Sequence, residues 1–248
     1  EGERAGHRPL AEKQVMLLPG AQPSGSLWEI GTPITSYGHG PGANFGGLTP
    51  AKALELAEGG FNMVWAQHLS ELDNAHAQGL RAMYWAGGYT DDPTVLDDSV
   101  RTHGLNVNID YVKDHPAMYA YHMADEPSAT EFEDYGRLAA HIRERDPNHM
   151  IYINLLPTYA SDVALLGPGA GPGSTAEAYR EYLRQYVYHV KPDMISYDHY
   201  HFRDGHDGSE YFLNLALVRE AALNAGIPFI NYVQAVSLAP SGWRVPTP

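Results

Sequence analysis

The sequence predicts an α/β fold, a (β/α)8-type TIM barrel that is incomplete or open, and three observations predict it. From Leu27 onward, short β-like runs alternate with longer amphipathic stretches, the rhythm of βαβ units in a parallel sheet. Seven such units follow in series, and the first turn lacks the dinucleotide fingerprint that would favour a doubly wound sheet. The length of 248 residues suits one barrel, which commonly takes about 250 residues as a single domain. Residues 1–26, rich in Gly, Pro and charge apart from Val15-Met16-Leu17-Leu18, read as an N-terminal arm, and residues 27–248 as the barrel domain.

The first β-like run is Trp28 to Ser36, followed by a loop holding Gly38, Gly40, Gly42, Gly46 and Gly47. Thr49 as N-cap and Pro50 at the first turn open a helix that ends at Gly59-Gly60. Phe61 to Gln67 is the second strand, Leu69 to Gln78 its helix, and Leu80 to Trp85 the third strand. Asp92-Pro93 starts a helical region reaching about His115. Met118 to Met123 is the fourth strand, after which Ser128 caps a helix that Asp146-Pro147 terminates. Met150 to Leu155 is the fifth, and a helix spans Thr175 to Val190 beyond the loop Gly167 to Gly173, which reads as a lid. Met194 to Tyr197 is the sixth, Tyr211 to Asn224 a helix stopped by Gly226, and Pro228 to Val236 the seventh. An eighth unit is missing, so a fragment or an open barrel is expected ahead of closure by the arm or by a second copy in a homo-oligomer.

Sixteen Lys and Arg against 30 Asp and Glu give a net charge of −14, which argues against a nucleic-acid partner because phosphate binding needs clustered cations. With 44% hydrophobic and 19% charged residues the chain buries a core. The absence of cysteine excludes disulfides, thiolate metal sites and thiol nucleophiles. No run approaches the roughly 18 to 20 apolar residues of a membrane span, so no membrane partner is expected. A start at Glu1 is compatible with a removed signal segment and a secreted or periplasmic location.

In such a barrel, chemistry sits at the C-terminal ends of the strands. The side chains there are polar and aromatic: Tyr37 and His39 after the first strand, His68 after the second, Trp85 after the third and His122 with Asp125 in the fourth unit. Asn154 follows in the fifth, Tyr197, His199 and Tyr200 around Asp198 in the sixth, and Gln234 in the seventh. Carboxylates, imidazoles, amides and flat aromatic faces suit a polyhydroxylated ligand, so these residues are substrate-binding candidates. Asp125-Glu126-Pro127 is the sharpest signal. It doubles as a helix start, yet the apolar fourth strand delivers Glu126 to the mouth, where apolar walls raise a carboxyl's pKa and fit it for general acid work.

On these residues the sequence resembles the TIM-barrel glycoside hydrolases, the retaining group that includes families 5, 39 and 42 (β-galactosidase type). The resemblance rests on the order of elements, on Tyr121-His122-Met123-Ala124-Asp125-Glu126-Pro127, on Asp146-Pro147-Asn148-His149, and on Ile195-Ser196-Tyr197-Asp198-His199-Tyr200. It implies a carbohydrate substrate and Glu126 as acid/base, with Asp125 standing where the family has Asn. It also implies a nucleophilic Glu at the end of the seventh strand, but Phe229 to Val236 holds no carboxylate. Asp198 is the preferred second carboxylate. A separation of about 5 Å from Glu126 would give retention, and about 6.5 to 9.5 Å inversion through a water. The expectation is a glycosidase acting on a β-linked or otherwise neutral glycan, without metal or cofactor. The alternatives are a non-catalytic carbohydrate-binding barrel, or a metal-dependent sugar isomerase or epimerase built from His39, His68, His122 and Asp198 to His201.

Overall fold

The computed structural model describes residues 33–36, 47–171, 173–235, 237 and 242–246. The arm, Tyr37, His39 and most of the first predicted strand lie outside these residues. In chain order the elements are α1 (Pro50–Glu58), β1 (Met63–Ala66), α2 (Leu69–Ala77), β2 (Arg81–Tyr84), α3 (Ser99–Val112), β3 (Met118–Asp125), α4 (Phe132–Arg145), β4 (Met150–Leu155), α5 (Asp162–Leu166), α6 (Thr175–Val190), β5 (Ile195–Asp198), β6 (Phe202–Arg203), β7 (His206–Asp207), α7 (Tyr211–Ala225) and β8 (Phe229–Tyr232). Short 310 helices, Pro93–Asp97 and Ala129–Glu131, lead into α3 and α4.

Local chemistry sets these boundaries. Thr49 Oγ1 accepts from the Lys52 amide to start α1, and reciprocal capping boxes, Ser128 with Glu131 and Ser174 with Glu177, start the turn before α4 and α6 itself. The Asp98 carboxylate accepts from the Val100 and Arg101 amides, so the helical region expected from Asp92 to about His115 consists of a 310 helix and then α3. Gly226, at φ 69, ends α7 in the left-handed conformation that glycine adopts without strain.

β1, β2, β3, β4, β5 and β8 form one parallel sheet in that order, and helices pack on its outer face. The sheet is strongly curled. Trp65 on β1 and Tyr152 on β4 are separated by three strand spacings, about 14 Å in a flat sheet, yet their rings lie 5.7 Å apart. Across two spacings the Tyr152 hydroxyl donates to that of Tyr232 at 3.2 Å. Met63, Trp65, Met83, Tyr119, Met150, Tyr152 and Tyr232 fill the concave interior, whereas Val64, Tyr84, Tyr121, Ile153 and Tyr197 face the helices.

The fold is therefore an incomplete (β/α) barrel, and among the described residues its six paired parallel strands are the second to the seventh that the sequence suggests. Of the first predicted strand, residues 33–36 run beside β1 without forming a ladder. The Ile34 carbonyl accepts from the Asn62 and Met63 amides, and the Trp65 indole donates to the Ser36 carbonyl. The α5 helix and the β6–β7 hairpin were not predicted. Gln234 anchors that hairpin by accepting from the Phe202 amide and donating to the Phe202 and Arg244 carbonyls.

Two bulges in β3 decide what reaches the mouth. Tyr119 and Met123 are each extra against the neighbouring strand, and each reverses the side-chain alternation. Counting by twos from the inward His122 would turn Asp125 outward; the Met123 bulge turns it inward, opposite Asn154.

Candidate active site

The C-terminal ends of β3, β4 and β5 bring Asp125, Glu126, Asn154 and Asp198 together. Glu126 leaves β3 at φ 54, a left-handed conformation uncommon for a residue with a Cβ. Its amide donates to the Asn154 carbonyl at 2.8 Å, which holds the turn onto β4. The next peptide is fixed from behind: the Tyr182 hydroxyl of α6 donates to the Pro127 carbonyl at 2.7 Å.

Asn154 is buried, and its amide is fully used. Its Nδ2 donates to Asp198 Oδ1 at 2.9 Å and to Asp125 Oδ1 at 3.2 Å, while its Oδ1 accepts from Ser196 Oγ at 3.0 Å. One amide nitrogen thus ties two acids side by side. Asp198 is 5% exposed and also accepts from the Tyr200 hydroxyl. Burial, aided by the Asp125 charge, raises its titration above the ordinary carboxylate value, against the lowering effect of the Asn154 and Tyr200 donors.

Glu126 is pushed up to about 7, first by desolvation, then by the charges of Asp198 and Asp125. It remains open to solvent at the mouth. A carboxyl so raised holds its proton near neutrality, the property that general acid work requires. Its neighbours are two further acids, the like-charge arrangement that spreads carboxyl pKa values apart.

The structure sorts the other sequence candidates. Trp85 stands half-buried at the end of β2, its indole N–H donating to Asp91 Oδ2 at 2.7 Å, so a fixed aromatic face flanks the interior. His68 is exposed at the end of β1, as the N-cap of α2. Tyr200 is half-buried, joined to Asp198 and packed on Trp243 at 4.6 Å.

Four candidates are buried, packed into the core or held by partners within the fold. His122 is buried inside the barrel against Trp65, Trp85 and Tyr152, and burial lowers its titration to about 3, so it is a neutral core imidazole. Tyr197 faces the helices, because alternation along β5 turns Ser196 and Asp198 inward. His199 is buried, with its Nδ1 at 2.8 Å from Asn214 of α7, a structural tie that also takes the Thr158 amide. Gln234 is 2% exposed and spends its amide on the hairpin. Among the described residues no group of three or more His, Asp or Glu side chains is placed to hold a metal ion.

Two residues not foreseen from the sequence join the mouth. Tyr159, in the loop after β4, packs edge-on against His199 at 4.9 Å, and burial followed by the Asp198 charge pushes its phenol up to about 12. Arg203, on β6, lies over the Tyr159 ring at 5.6 Å. A Tyr in a loop that follows a strand end was a signal available in the sequence; the hairpin that presents Arg203 was not.

The sequence matches no protein-family model and no curated protein. Among solved structures the chain is similar to the β-mannanase of the blue mussel Mytilus edulis, at 9% identity, over 78% of this chain and 81% of that one, with a TM-score of 0.46. It is similar to the β-D-glucuronidase of Dictyoglomus thermophilum, at 16% identity, over 76% and 33%, with a TM-score of 0.45. It is also similar to QR15, an aldolase, at 12% identity, over 74% and 73%, with a TM-score of 0.44. The chain spans a third of the glucuronidase and about half of two other structures to which it is similar.

Proposed function

We propose that this chain is a glycoside hydrolase in which Glu126 is the general acid and base and Asp198 its partner carboxylate. One observation carries the proposal: at the mouth of a barrel, a strand-end glutamate is held at φ 54 beside two acids, with its carboxyl pushed up to about 7. Glu126 donates its proton to the glycosidic oxygen as the bond to the anomeric carbon breaks. Asp198, steadied by Asn154 and Tyr200, meets the developing positive charge on the sugar, either attacking the anomeric carbon or drawing a proton from an attacking water. If a covalent sugar ester forms, Glu126 then takes the proton of the water that releases it. Trp85 offers a flat face to a sugar ring.

The test is a panel of aryl-glycosides, β-galactosides and β-mannosides included, with natural oligosaccharides. Turnover should fall by about a thousandfold in Glu126→Gln, and in the wild type kcat/KM should drop about tenfold per pH unit above the Glu126 transition near 7. Wild-type turnover in Glu126→Gln would sink the assignment. The anomer released first, followed by NMR, decides between retention and inversion.

A second reading, a barrel that binds glycans without cleaving them, has one observation in its favour. The β8 end holds no carboxylate, and Gln234 there is committed to the hairpin. It requires glycan binding with no Glu126-dependent turnover.

A further inference from the structure

Most described arginines are ion-paired: Arg101 with Asp92, Arg137 with Asp97 and Asp134, Arg143 with Asp193, Arg145 with Asp110, Arg180 with Glu220, Arg184 with Glu181 and Arg244 with Asp207. Arg203 differs from these, and from the exposed Arg219 of α7, which likewise has no ion pair among the described residues, in resting on an aromatic ring. Among the described residues its guanidinium makes no ion pair and no hydrogen bond; it rests over the Tyr159 ring at 5.6 Å and is only partly covered. This is a poised arrangement, because the ring takes one face of the guanidinium while the five N–H donors at its edge stay unspent.

The backbone beneath Arg203 is fixed from several sides. Arg203 pairs with Trp243 in an antiparallel bridge, and its carbonyl accepts from Arg244 Nε at 3.1 Å. Asp204 donates to the Gly242 carbonyl, Arg244 donates to the Phe202 carbonyl, and Gln234 clamps Phe202 at both its amide and its carbonyl. Arg244, paired with Asp207 and stacked over Phe202, is occupied with holding the hairpin. The side chain that this scaffold presents to the mouth is Arg203, and the Tyr159 phenol beneath it feels the charges of Asp198, Glu126 and Arg203 together.

A chain of net charge −14 with three acids at its mouth repels anions. An unspent guanidinium held on a rigid support at that same mouth offsets the repulsion at one point, and its planar fork matches a carboxylate or sulfate in two parallel hydrogen bonds. We propose that Arg203 is a specificity-determining residue that binds an anionic substituent of the glycan, a uronic-acid carboxylate or a sulfate ester, in the sugar lying across Tyr159. This inference rests on the carbohydrate reading of the site and departs from the neutral glycan expected from the sequence.

The experiment separates the two. Glu126→Gln and the double variant Glu126→Gln, Arg203→Gln are titrated by calorimetry with a galacturonic acid tetramer, a sulfated galactan tetramer and its desulfated counterpart. Tighter binding of one anionic tetramer than of the neutral one, by about tenfold or more and lost on Arg203→Gln, supports the inference, and which tetramer shows it identifies the anion. That result holds even if the wild type hydrolyses none of them, which would overturn the hydrolase reading alone. Equal affinity for charged and neutral tetramers, or a preference that survives Arg203→Gln, overturns the inference and leaves the hydrolase intact. Failure to bind any tetramer overturns both. If Arg203 instead acts only on the charges of the acids, Arg203→Gln shifts the pH profile with a neutral substrate and leaves the preference unchanged, which also overturns the inference; an unchanged profile with a raised KM for the anionic substrate supports it.

Discussion

Two buried aspartates at opposite ends of the barrel differ in everything but burial. Asp146, 2% exposed, sits at the base where β4 begins; Asp198, 5% exposed, sits at the mouth where β5 ends. Burial raises the titration of both. At the base it is overcome by donors: His149 Nδ1 lies 2.7 Å and the Tyr121 hydroxyl 2.7 Å from Oδ2, and the Asn148 amide donates to Oδ1 at 3.0 Å, so Asp146 ends below its ordinary value. At the mouth Asn154 and Tyr200 donate, but a second acid adds its charge to burial, and Asp198 ends above its ordinary value. A matched cluster stores stability, whereas an electrostatically mismatched one stores reactivity at some cost in stability.

The contrast can be broken at the base first. Asp146→Ala strands the Tyr121 hydroxyl and His149 in a buried pocket, and should cost about 3 kcal/mol, lowering Tm by roughly 6–12 °C while leaving glycan binding at the mouth unchanged. A change under about 1 °C by calorimetry would mean that the base cluster contributes nothing to stability.

At the mouth a smaller effect of opposite sign is expected. The folded state holds the Glu126 proton up to about pH 7, above the value of about 4.3 for an unfolded glutamate. Between those limits the folded chain binds more protons than the unfolded one, so this carboxyl makes stability fall as pH rises through that window. Glu126→Gln should therefore raise Tm at pH 8 by about 1–2 °C, the effect being modest because the group meets solvent, and leave Tm unchanged at pH 4. Equal or lower Tm in the variant at pH 8 would place Glu126 in a matched environment like that of Asp146.

Much of the frame was legible because periodicity and capping are local. Thr49, Ser128 and Gly226 mark their helix ends in the sequence, and the apolar run before Asp125-Glu126-Pro127 identified the strand that ends at the mouth. Alternation along β5 would also have turned Tyr197 outward, had it been applied residue by residue. The bulges at Tyr119 and Met123 are not written in local propensity; they arise where β3 must fit two neighbours of different register, and they decide that Asp125 faces Asn154. The roles of Asn154, Gln234 and Arg203 depend on contacts between segments tens of residues apart, which no local pattern reports. Asp146-Pro147-Asn148-His149, one of the motifs that carried the family resemblance, proves to be a hydrogen-bonded cluster at the base.

The most direct test is the titration of Glu126 itself. Carbon-13 carboxyl NMR of a glutamate-labelled chain, with Glu126→Gln to assign the signal, should show one resonance that titrates near pH 7 and is missing from the variant. If every glutamate titrates between about 4 and 5, as unperturbed side chains do, the mouth does not hold a general acid and the account of this site is wrong.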